Sequence, residues 1–346
     1  MRTIDWDDED NSVVLIDQTK LPKEFTVLEF KDVGAIAEAI KELKVRGAPA
    51  LGVAGGLGIA LAAQTSNAKG PKDLIQDLER AAKILRDTRP TAINLFWGID
   101  RVLNKAKTGR SVTQIKKIAL EEAKKMADED AQKCRDIGNH GASLLKDGDV
   151  VLTHCNAGRM ACVDWGTALG VVRSAIKDSK RIKVIACETR PLNQGSRITT
   201  WELLQDGIPV TLITDSMIGH VIKSGEVDNV IVGADRIVKD AVFNKIGTYT
   251  LSVVAKKHGL PFYVAAPSST FDFDKRASDI EIEERDPSEL KYFGKEQIAP
   301  LEVTAYNPAF DATPMENVSA IITEYGVLYP PFEFEEILEC WQKIEG

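Results

Sequence analysis

The chain has 346 residues, of which 44% are hydrophobic, and a net charge of −8. Its length and apolar content are sufficient for about two packed domains. An acidic surface repels the phosphate backbone, and no basic run is interleaved with aromatic residues, so nucleic acid is not expected as a ligand. The longest stretch free of charged or strongly polar residues, 48–63, is too short to span a bilayer and contains a proline. With an N-terminus that lacks the apolar core of a secretion signal, the sequence predicts a cytoplasmic protein without a membrane segment.

The cysteines and histidines are scattered. Five cysteines, at positions 134, 155, 162, 187 and 340, include no C-x-x-C pair, and four histidines, at positions 140, 154, 220 and 258, occur singly. These spacings are typical of reduced thiols and match neither a disulfide framework nor a metal-binding motif. We therefore expect no dedicated metal site.

The periodicity of apolar residues changes near the middle of the chain. Helical spacing predominates in residues 35–44, 72–87, 91–107 and 113–145. After Gly148, short β-rich runs alternate with helical segments, at residues 149–153, 181–186, 208–213, 228–232 and 261–265. This alternation predicts βαβ units and a parallel sheet. We expect an α/β protein with a mainly helical N-terminal domain (1–125), a parallel-sheet domain (126–346) and an irregular tail from Pro267.

Two chemically capable residues follow strand-like runs. Cys155 comes after residues 149–153, and Asp235 comes after residues 228–232. Because right-handed crossovers align the carboxyl ends of parallel strands at one edge, the pair is expected to share a site. A helix beginning after Gly158 would favour the Cys155 thiolate. The structural alternatives are a small buried cysteine and an aspartate held in a salt bridge with Arg236 or Arg190.

Two arginines precede helical segments and could bind an anion. Arg46 lies before the glycine-rich residues 52–58, which could be half of a phosphate cradle or could let the segment pack tightly. The glycines match neither G-x-G-x-x-G nor the Walker pattern, which favours packing. Arg89 precedes Pro90 at a predicted helix start, where it is either a second anion contact or a solvated arginine.

Two further segments favour ligand contacts. Residues 188–197 follow a strand-like run and are densely polar. Asn244 is the predicted cap of an apolar helix, with Lys245 in its first turn. A lysine in that position opposes the helix dipole, which suggests a bound anion.

Ten segments taken in order resemble one family from near the start of the chain to residue 314. That family is the methylthioribose-1-phosphate isomerases, a branch of a superfamily shared with ribose-1,5-bisphosphate isomerases and the regulatory subunits of initiation factor 2B. The segments are VRGAPALG (45–52), RPTAINLFW (89–97), THCNAG (153–158), GTALGV (166–171), ETRPLNQGSR (188–197), GADRI (233–237), NKIGTY (244–249), PFYVAAPSST (261–270), EERDP (283–287) and NPAFDATP (307–314).

The resemblance implies a homodimer with a helical N-terminal domain, a Rossmann-like C-terminal domain and no cofactor. It implies conversion of 5-methylthioribose 1-phosphate to 5-methylthioribulose 1-phosphate in methionine salvage, with Cys155 and Asp235 as the acid–base pair. The implied substrate contacts are Arg46, Gly47, Ala48, Arg89, Gln194, Asn244 and Lys245.

Two alternatives stay open. Three segments depart from the family pattern: Arg159-Met160, residues 162–165, and residues 238–243, which are shorter and more apolar than is common. An additional arginine could favour a second phosphate, as in ribose 1,5-bisphosphate from nucleotide salvage. A non-catalytic regulatory subunit is the other alternative. The motifs RPTAINLFW and NKIGTY look more like the methylthioribose branch, and a pure binding module needs neither Cys155 nor Asp235.

Overall fold

The computed structural model describes residues 1–90 and 92–345, and the chain forms two compact units. The first unit comprises residues 1–135 and 158–166, and the second comprises residues 136–157 and the chain from Thr167 onward. The division falls later than the predicted boundary at residue 125, and the prediction did not include the return of residues 158–166. It lies inside a continuous helix, where the sequence pattern has no break to mark it.

Residues 158–166 belong to the first unit because their backbone is anchored there. The Thr3 N–H donates to the Val163 carbonyl (2.9 Å), and the Val163 N–H donates to the Asp130 carboxylate (2.7 Å). A Cβ on Gly47 would lie 2.4 Å from the backbone of Ala161, so only glycine permits this approach. These contacts join residues distant in sequence.

The first unit is mainly helical, as predicted, but it begins with a three-stranded antiparallel sheet that the prediction missed. The predicted helices form, and residues 48–65 add another. Thr91, the first residue of one predicted helix, lies outside the described residues, and the observed helix begins at Ile93. The elements are β1 (Ile4–Asp7), β2 (Ser12–Ile16), β3 (Val27–Phe30), α1 (Val33–Lys41), α2 (Ala48–Thr65), α3 (Pro71–Arg86), α4 (Ile93–Ala106) and α5 (Val112–Ala142).

Helices α2 and α4 are in close contact through glycines. A Cβ on Gly98 would lie 2.0 Å from the Gly52 carbonyl oxygen, and one on Gly52 would lie 3.0 Å from the Asn94 carbonyl oxygen. The packing interpretation of residues 52–58 is therefore confirmed. Against the prediction, α2 is long and apolar enough to cross a membrane by length and composition alone, but 72% of it is buried inside the protein. It forms part of the apolar core of the first unit.

The second unit is built on a seven-stranded, mostly parallel sheet. All five predicted strands are present, which confirms the α/β fold class. The elements are β4 (Val150–Thr153), α6 (Ala168–Lys177), β5 (Lys183–Cys187), α7 (Thr200–Gln205), β6 (Val210–Ile213), α8 (Ile218–Lys223), β7 (Asn229–Val232), β8 (Arg236–Val238), β9 (Ala241–Lys245), α9 (Thr248–Lys257), β10 (Phe262–Ala265), α10 (Ser288–Lys291), β11 (Tyr292–Phe293), β12 (Glu296–Gln297), β13 (Phe310–Pro314), β14 (Ala320–Thr323), β15 (Gly326–Leu328) and α11 (Phe334–Glu345). The strands of the main sheet follow the order β15-β14-β10-β7-β4-β5-β6, and within it only β15 is antiparallel to its neighbour.

The order of the strands reverses between β4 and β7. From β4 the chain proceeds outward through β5 and β6, and it then continues from β7 through β10 and β14 toward the opposite edge. Neighbouring strands that lead in opposite directions leave a crevice at their carboxyl ends, the usual ligand site of such sheets. The Thr153 hydroxyl donates to the Ile231 carbonyl (2.7 Å), linking the two strands beside this switch point.

The tail after Pro267 is more regular than predicted. It supplies β13 to a small antiparallel sheet with β8 and β9, adds β14 and β15 to the main sheet, and ends in α11. Phe334 and Trp341 of α11 pack against Phe271 and Phe273. The strands of the tail have two to five residues, too few for a clear alternation.

Candidate active site

Cys155 adopts an unusual backbone conformation two residues after β4. Its φ is +65°, its side chain is partly buried, and both of its peptide groups accept or donate a side-chain hydrogen bond. The Cys155 N–H donates to Thr189 Oγ1 (2.8 Å), and Thr199 Oγ1 donates to the Cys155 carbonyl (2.7 Å). A left-handed conformation costs a non-glycine residue about 1–2 kcal/mol. Such conformations persist where surrounding contacts enforce them, and they concentrate at active sites.

Asp235 follows β7, the strand next to β4, and is partly exposed. Its N–H donates to the Phe243 carbonyl (2.9 Å). The loops after the two strands approach each other closely, since a Cβ on Gly233 would lie 2.6 Å from the Ala157 Cβ. The structure therefore brings the loops of Cys155 and Asp235 to one edge of the sheet, as the strand pattern predicts.

The arginines that could have held Asp235 in a salt bridge have other partners. Arg236 pairs with Asp272 (3.8 Å). The backbone N–H of Arg190 donates to Asp215 (2.8 Å), and its guanidinium lies over the Phe293 ring. Each of the two arginines therefore has a contact away from Asp235.

The predicted helix directly after Gly158 is wrong. Residues 159–161 form a single 3₁₀ turn, and the next α-helix, α6, begins only at Ala168. Trp165 (φ +64°) and Gly166 (φ +84°) are both left-handed and interrupt any helix in between. No helix dipole of the predicted kind therefore begins at Gly158.

Asn244 and Lys245 lie in strand β9, so the prediction that they begin a helix is also wrong. Helix α9 begins at Thr248 after Gly247 (φ +102°), and its capping acceptor comes from β13. Asp311 accepts the N–H groups of Gly247 (2.7 Å) and Tyr249 (3.0 Å). Burial raises the pKa of Asp311 to about 6, which the two hydrogen bonds oppose. The first N–H groups of α9 are therefore bound by Asp311, which is distant in sequence, and not by the predicted cap Asn244.

Asn244 and Lys245, the two predicted ligand-binding residues of β9, are each held by a contact with a neighbouring element. The Asn244 side chain donates to Thr248 Oγ1 (3.1 Å), joining the end of β9 to the start of α9. The Lys245 ammonium lies 4.7 Å from the centre of the Phe310 ring on the neighbouring strand. Both residues are therefore held immediately before a helix N-terminus.

Gln194 is buried in the polar loop of residues 188–197, just before a π-helical turn at Gly195–Thr199. Such turns are frequent at functional sites. A Cβ on Gly195 would lie 1.7 Å from the Cys187 carbonyl oxygen, so the loop passes very close to the end of β5. Within residues 1–90 and 92–345, the side-chain oxygens of Asn193 and Gln194 find no hydrogen-bond partner.

Asp215 is a site residue that the prediction missed. It follows β6 and accepts the N–H groups of Thr189 and Arg190, each at 2.8 Å. It therefore fixes the loop whose threonine holds Cys155. The signal was present in the sequence, because Asp215 comes two residues after a predicted strand, as Cys155 does.

His154, also missed, lies fully buried beside Asp215. Its Nε2 is 2.9 Å from the Ile246 carbonyl, so Nε2 carries the proton, and its Nδ1 is 3.9 Å from the Asp215 carboxylate. Burial lowers the pKa of His154, and the Lys245 charge acts in the same direction against Asp215 and the Ile246 hydrogen bond. A neutral imidazole therefore connects the Cys155 loop with the loop after Lys245.

The fold assembles two groups of potential metal ligands that spacing did not predict. Donor atoms of His154, Cys187 and Asp215 lie within 4.8 Å of one another, as do those of Asp130, Cys134 and Cys162. Burial raises the pKa of Cys187, and the hydrogen bond with Cys162 together with burial raises the pKa of Cys134. Binding a metal at either group would require these thiols to lose their protons.

The remaining predicted contacts lie in the first unit. Gly47 (φ +96°) precedes α2, and Ala48 is the first residue of that helix, whose N-terminal N–H groups can bind an anion. Arg46 comes immediately before them and is partly buried. Arg89 is partly buried in the turn before α4, where its carbonyl accepts the Ala92 N–H (3.0 Å). The predicted site residues are thus divided between the two units.

Comparison with known protein families identifies the family of this chain. The model of the Initiation factor 2 subunit family matches residues 44–330. The chain belongs to that family. Methylthioribose-1-phosphate isomerase of Acetivibrio thermocellus is 50% identical over 323 residues, which cover 92% of this chain and 94% of that protein.

Two solved structures of family relatives match nearly the whole chain. The 5-methylthioribose 1-phosphate isomerase of Pyrococcus horikoshii OT3 has a TM-score of 0.92 and 44% identity, covering 98% of this chain and 96% of that one. The structure described as translation initiation factor eIF-2B, subunit delta, from A. fulgidus has a TM-score of 0.89 and 62% identity, covering 98% and 99%. The resemblance inferred from the motifs is confirmed.

Proposed function

We propose that this protein is an aldose–ketose isomerase that converts 5-methylthioribose 1-phosphate to 5-methylthioribulose 1-phosphate. Similarity over nearly the full length to proteins of that name supports the proposal. One structural observation carries it: at the switch point between β4 and β7, Cys155 is held in a left-handed conformation with Asp235 in the adjacent loop. A thiol and a carboxyl at that crevice suit acid–base chemistry on a small sugar.

The mechanism follows from the substrate. Its anomeric carbon carries the phosphate, so the ring cannot open spontaneously to an aldehyde, and opening must be coupled to chemistry at C2. Asp235 donates a proton to the ring oxygen while the Cys155 thiolate removes the proton from C2, which gives an enol phosphate. Cys155 then returns its proton to C1, and Asp235 regains a proton from the C2 hydroxyl as the ketone forms.

The other predicted contacts hold the substrate. Arg46, Arg89 and Lys245 bind the phosphate dianion, helped by the backbone at Gly47 and Ala48. Gln194 and Asn244 bind the sugar hydroxyls. Orientation of this kind contributes several kcal/mol, up to roughly ten in well-aligned cases. We further propose a cytoplasmic homodimer that uses no cofactor.

The test is turnover of defined sugars. Purified protein is incubated with 5-methylthioribose 1-phosphate and, separately, with ribose 1,5-bisphosphate, and ketose formation is followed by proton NMR. Preferred turnover of the thio sugar is expected. Preference for the bisphosphate would contradict the proposed substrate and make Arg159 the next residue to substitute. Arg46→Ala should raise KM more than it lowers kcat, and an unchanged KM would contradict the phosphate role.

A regulatory subunit is the second candidate, because the A. fulgidus relative is described as an eIF-2B subunit. That function requires a stable complex with initiation factor 2. Copurification with that factor, combined with no turnover of either sugar, would replace the isomerase proposal. Isolation of the chain as a homodimer alone would remove the main support for the regulatory function.

A further inference from the structure

Thr189 is a fully buried residue in which each polar group makes a hydrogen bond. Its N–H donates to Asp215 (2.8 Å), and its carbonyl accepts the Asn193 N–H (2.8 Å). Its hydroxyl donates to the Cys187 carbonyl (3.2 Å) and accepts the Cys155 N–H (2.8 Å). With φ at +64°, Thr189 is itself left-handed. The residue has no exposed surface for a ligand and acts only on its neighbours.

The carbonyl side of Cys155 is held by a second buried network. Thr199 Oγ1 donates to the Cys155 carbonyl (2.7 Å) and accepts from the Asn156 side chain (3.2 Å). The same Asn156 amide donates to Glu202 (3.0 Å), and the other Glu202 oxygen accepts from Arg173 (2.9 Å). Thr199 and Glu202 are buried, so this network is fixed by the interior of the second unit.

We propose that Thr189 and Thr199 form a hydroxyl clamp that holds Cys155 in its left-handed conformation, with Asp215 and Glu202 positioning the two threonines. The consequence for catalysis rests on the proposed acid–base role of Cys155. Within it, the threonines are positioning residues, because they bond to the Cys155 backbone and not to a reacting group.

The two hydroxyls act on opposite sides of the same α-carbon. One holds the peptide that precedes Cys155 and the other holds the peptide that follows, so together they fix its φ and ψ. These angles set the direction of the Cα–Cβ bond and therefore of the thiol. Because left-handed φ is unfavourable for cysteine, loss of either hydroxyl lets the residue relax toward negative φ. The clamp should therefore affect kcat more than KM.

The first experiment compares Thr189→Val with Thr189→Ser. Valine keeps the shape of threonine but removes the hydroxyl, whereas serine keeps the hydroxyl. Loss of one hydrogen bond predicts a fall in kcat of roughly tenfold for valine, with KM little changed and with most activity restored by serine. Thr313→Val is the matched control, because Thr313 is equally buried and its hydroxyl has no hydrogen-bond partner in the described part of the chain.

The second readout is independent of substrate identity. Alkylation of Cys155 by iodoacetamide is measured across pH in a Cys340→Ser background, since Cys340 is exposed while Cys134, Cys162 and Cys187 are buried. Thr189→Val should change the rate and its pH profile, and Thr189→Ser should restore both. If no variant turns over a sugar phosphate, the proposed function fails, while the alkylation series still tests the clamp.

The clamp is overturned if folded Thr189→Val keeps wild-type kcat and alkylation, or if Thr189→Ser is as impaired as the valine variant. Thr199→Val provides the same test from the other side of Cys155, in case Thr189→Val does not fold. It should reproduce the loss of kcat and the altered alkylation profile, and wild-type behaviour in both would equally overturn the proposal.

Discussion

The two units of this protein differ in the side chains that they bury beside their candidate site residues. In the first, α2 and α4 meet through glycine and bury almost exclusively apolar side chains. In the second, the loops at the carboxyl end of the sheet bury connected polar side chains, including His154, Thr189 and Glu202. Apolar packing has no direction, whereas a buried polar network is stable only when its members are paired. Substitutions should therefore act through packing in the first region and through hydrogen bonding and charge in the second.

The largest effect is expected for Cys155→Ser in the second region. A serine hydroxyl is a much weaker base than a thiolate, so turnover should fall by roughly a hundredfold or more. Folding and phosphate binding should persist, because the hydrogen bonds at residue 155 come from its backbone. Steady-state kinetics, a thermal melt and titration with inorganic phosphate separate these effects. Near-normal turnover in Cys155→Ser would disprove the proposed mechanism.

Asp235→Asn is the companion variant, since it keeps the shape of the side chain and removes its acidic proton. Its turnover should fall as well, with the fold preserved. Wild-type turnover in this variant would leave the ring oxygen without its proposed acid. Because the two groups act in one step, the losses from the single variants should not add in the double variant.

The next largest effect tests packing in the first region. In Gly98→Ala the new methyl group would lie 2.0 Å from the Gly52 carbonyl oxygen, so the two helices must move apart. Overpacking of this kind costs about 1–3 kcal/mol of unfolding free energy. Denaturant unfolding should show that loss. A variant as stable as the wild type would mean that the contact between α2 and α4 is not tight.

Gly219→Ala is the matched control for this variant. Gly219 also lies in a helix, but its added methyl group would meet nothing within 4 Å. A glycine-to-alanine change without a clash stabilises by about 0.4–1 kcal/mol. Opposite signs in the two variants would assign the effect to packing and exclude helix propensity as its source.

The sequence predicted the parts of the fold that depend on repeating patterns. The alternation of strand and helix patterns correctly located the five predicted strands. Because the carboxyl ends of parallel strands lie at one edge of a sheet, the sequence also correctly predicted that the loops of Cys155 and Asp235 are neighbours. The same rule would have found Asp215, which also follows a strand of the parallel sheet. The family inferred from the motifs is confirmed, while the roles of individual residues stay proposals.

The errors occurred where distant contacts decide local structure. Asn244 and Lys245 read as a helix start, but pairing with β13 makes them a strand, and Asp311 from that strand caps α9. Residues 158–166 return to the first unit through backbone bonds to Thr3 and Asp130. Neither arrangement can be predicted from the neighbouring residues, because each depends on contacts with a segment that is distant in the sequence.

The smallest effect concerns the neutral His154 in the second region. Burial lowers the pKa of His154 below its ordinary value of 6.5. Between that lowered pKa and about pH 6.5, the unfolded chain binds a proton that the folded chain excludes, so the free energy of unfolding decreases as the pH falls. Asp311 acts in the opposite sense, because its raised pKa of about 6 lets the folded chain bind a proton first. The net slope in the wild type therefore combines two opposing titrations.

Comparing His154→Gln with the wild type isolates the histidine contribution. Glutamine can donate to the Ile246 carbonyl but never becomes charged, so the variant should lose less stability on acidification, while the Asp311 contribution is common to both proteins and cancels in the difference. Unfolding free energies measured from about pH 8 to about pH 5 give this difference directly. His258→Gln, at an exposed position, is the matched control. Parallel curves for His154→Gln and the wild type would mean that His154 binds a proton equally in the folded chain, and a neutral imidazole would then not link the loops of Cys155 and Lys245.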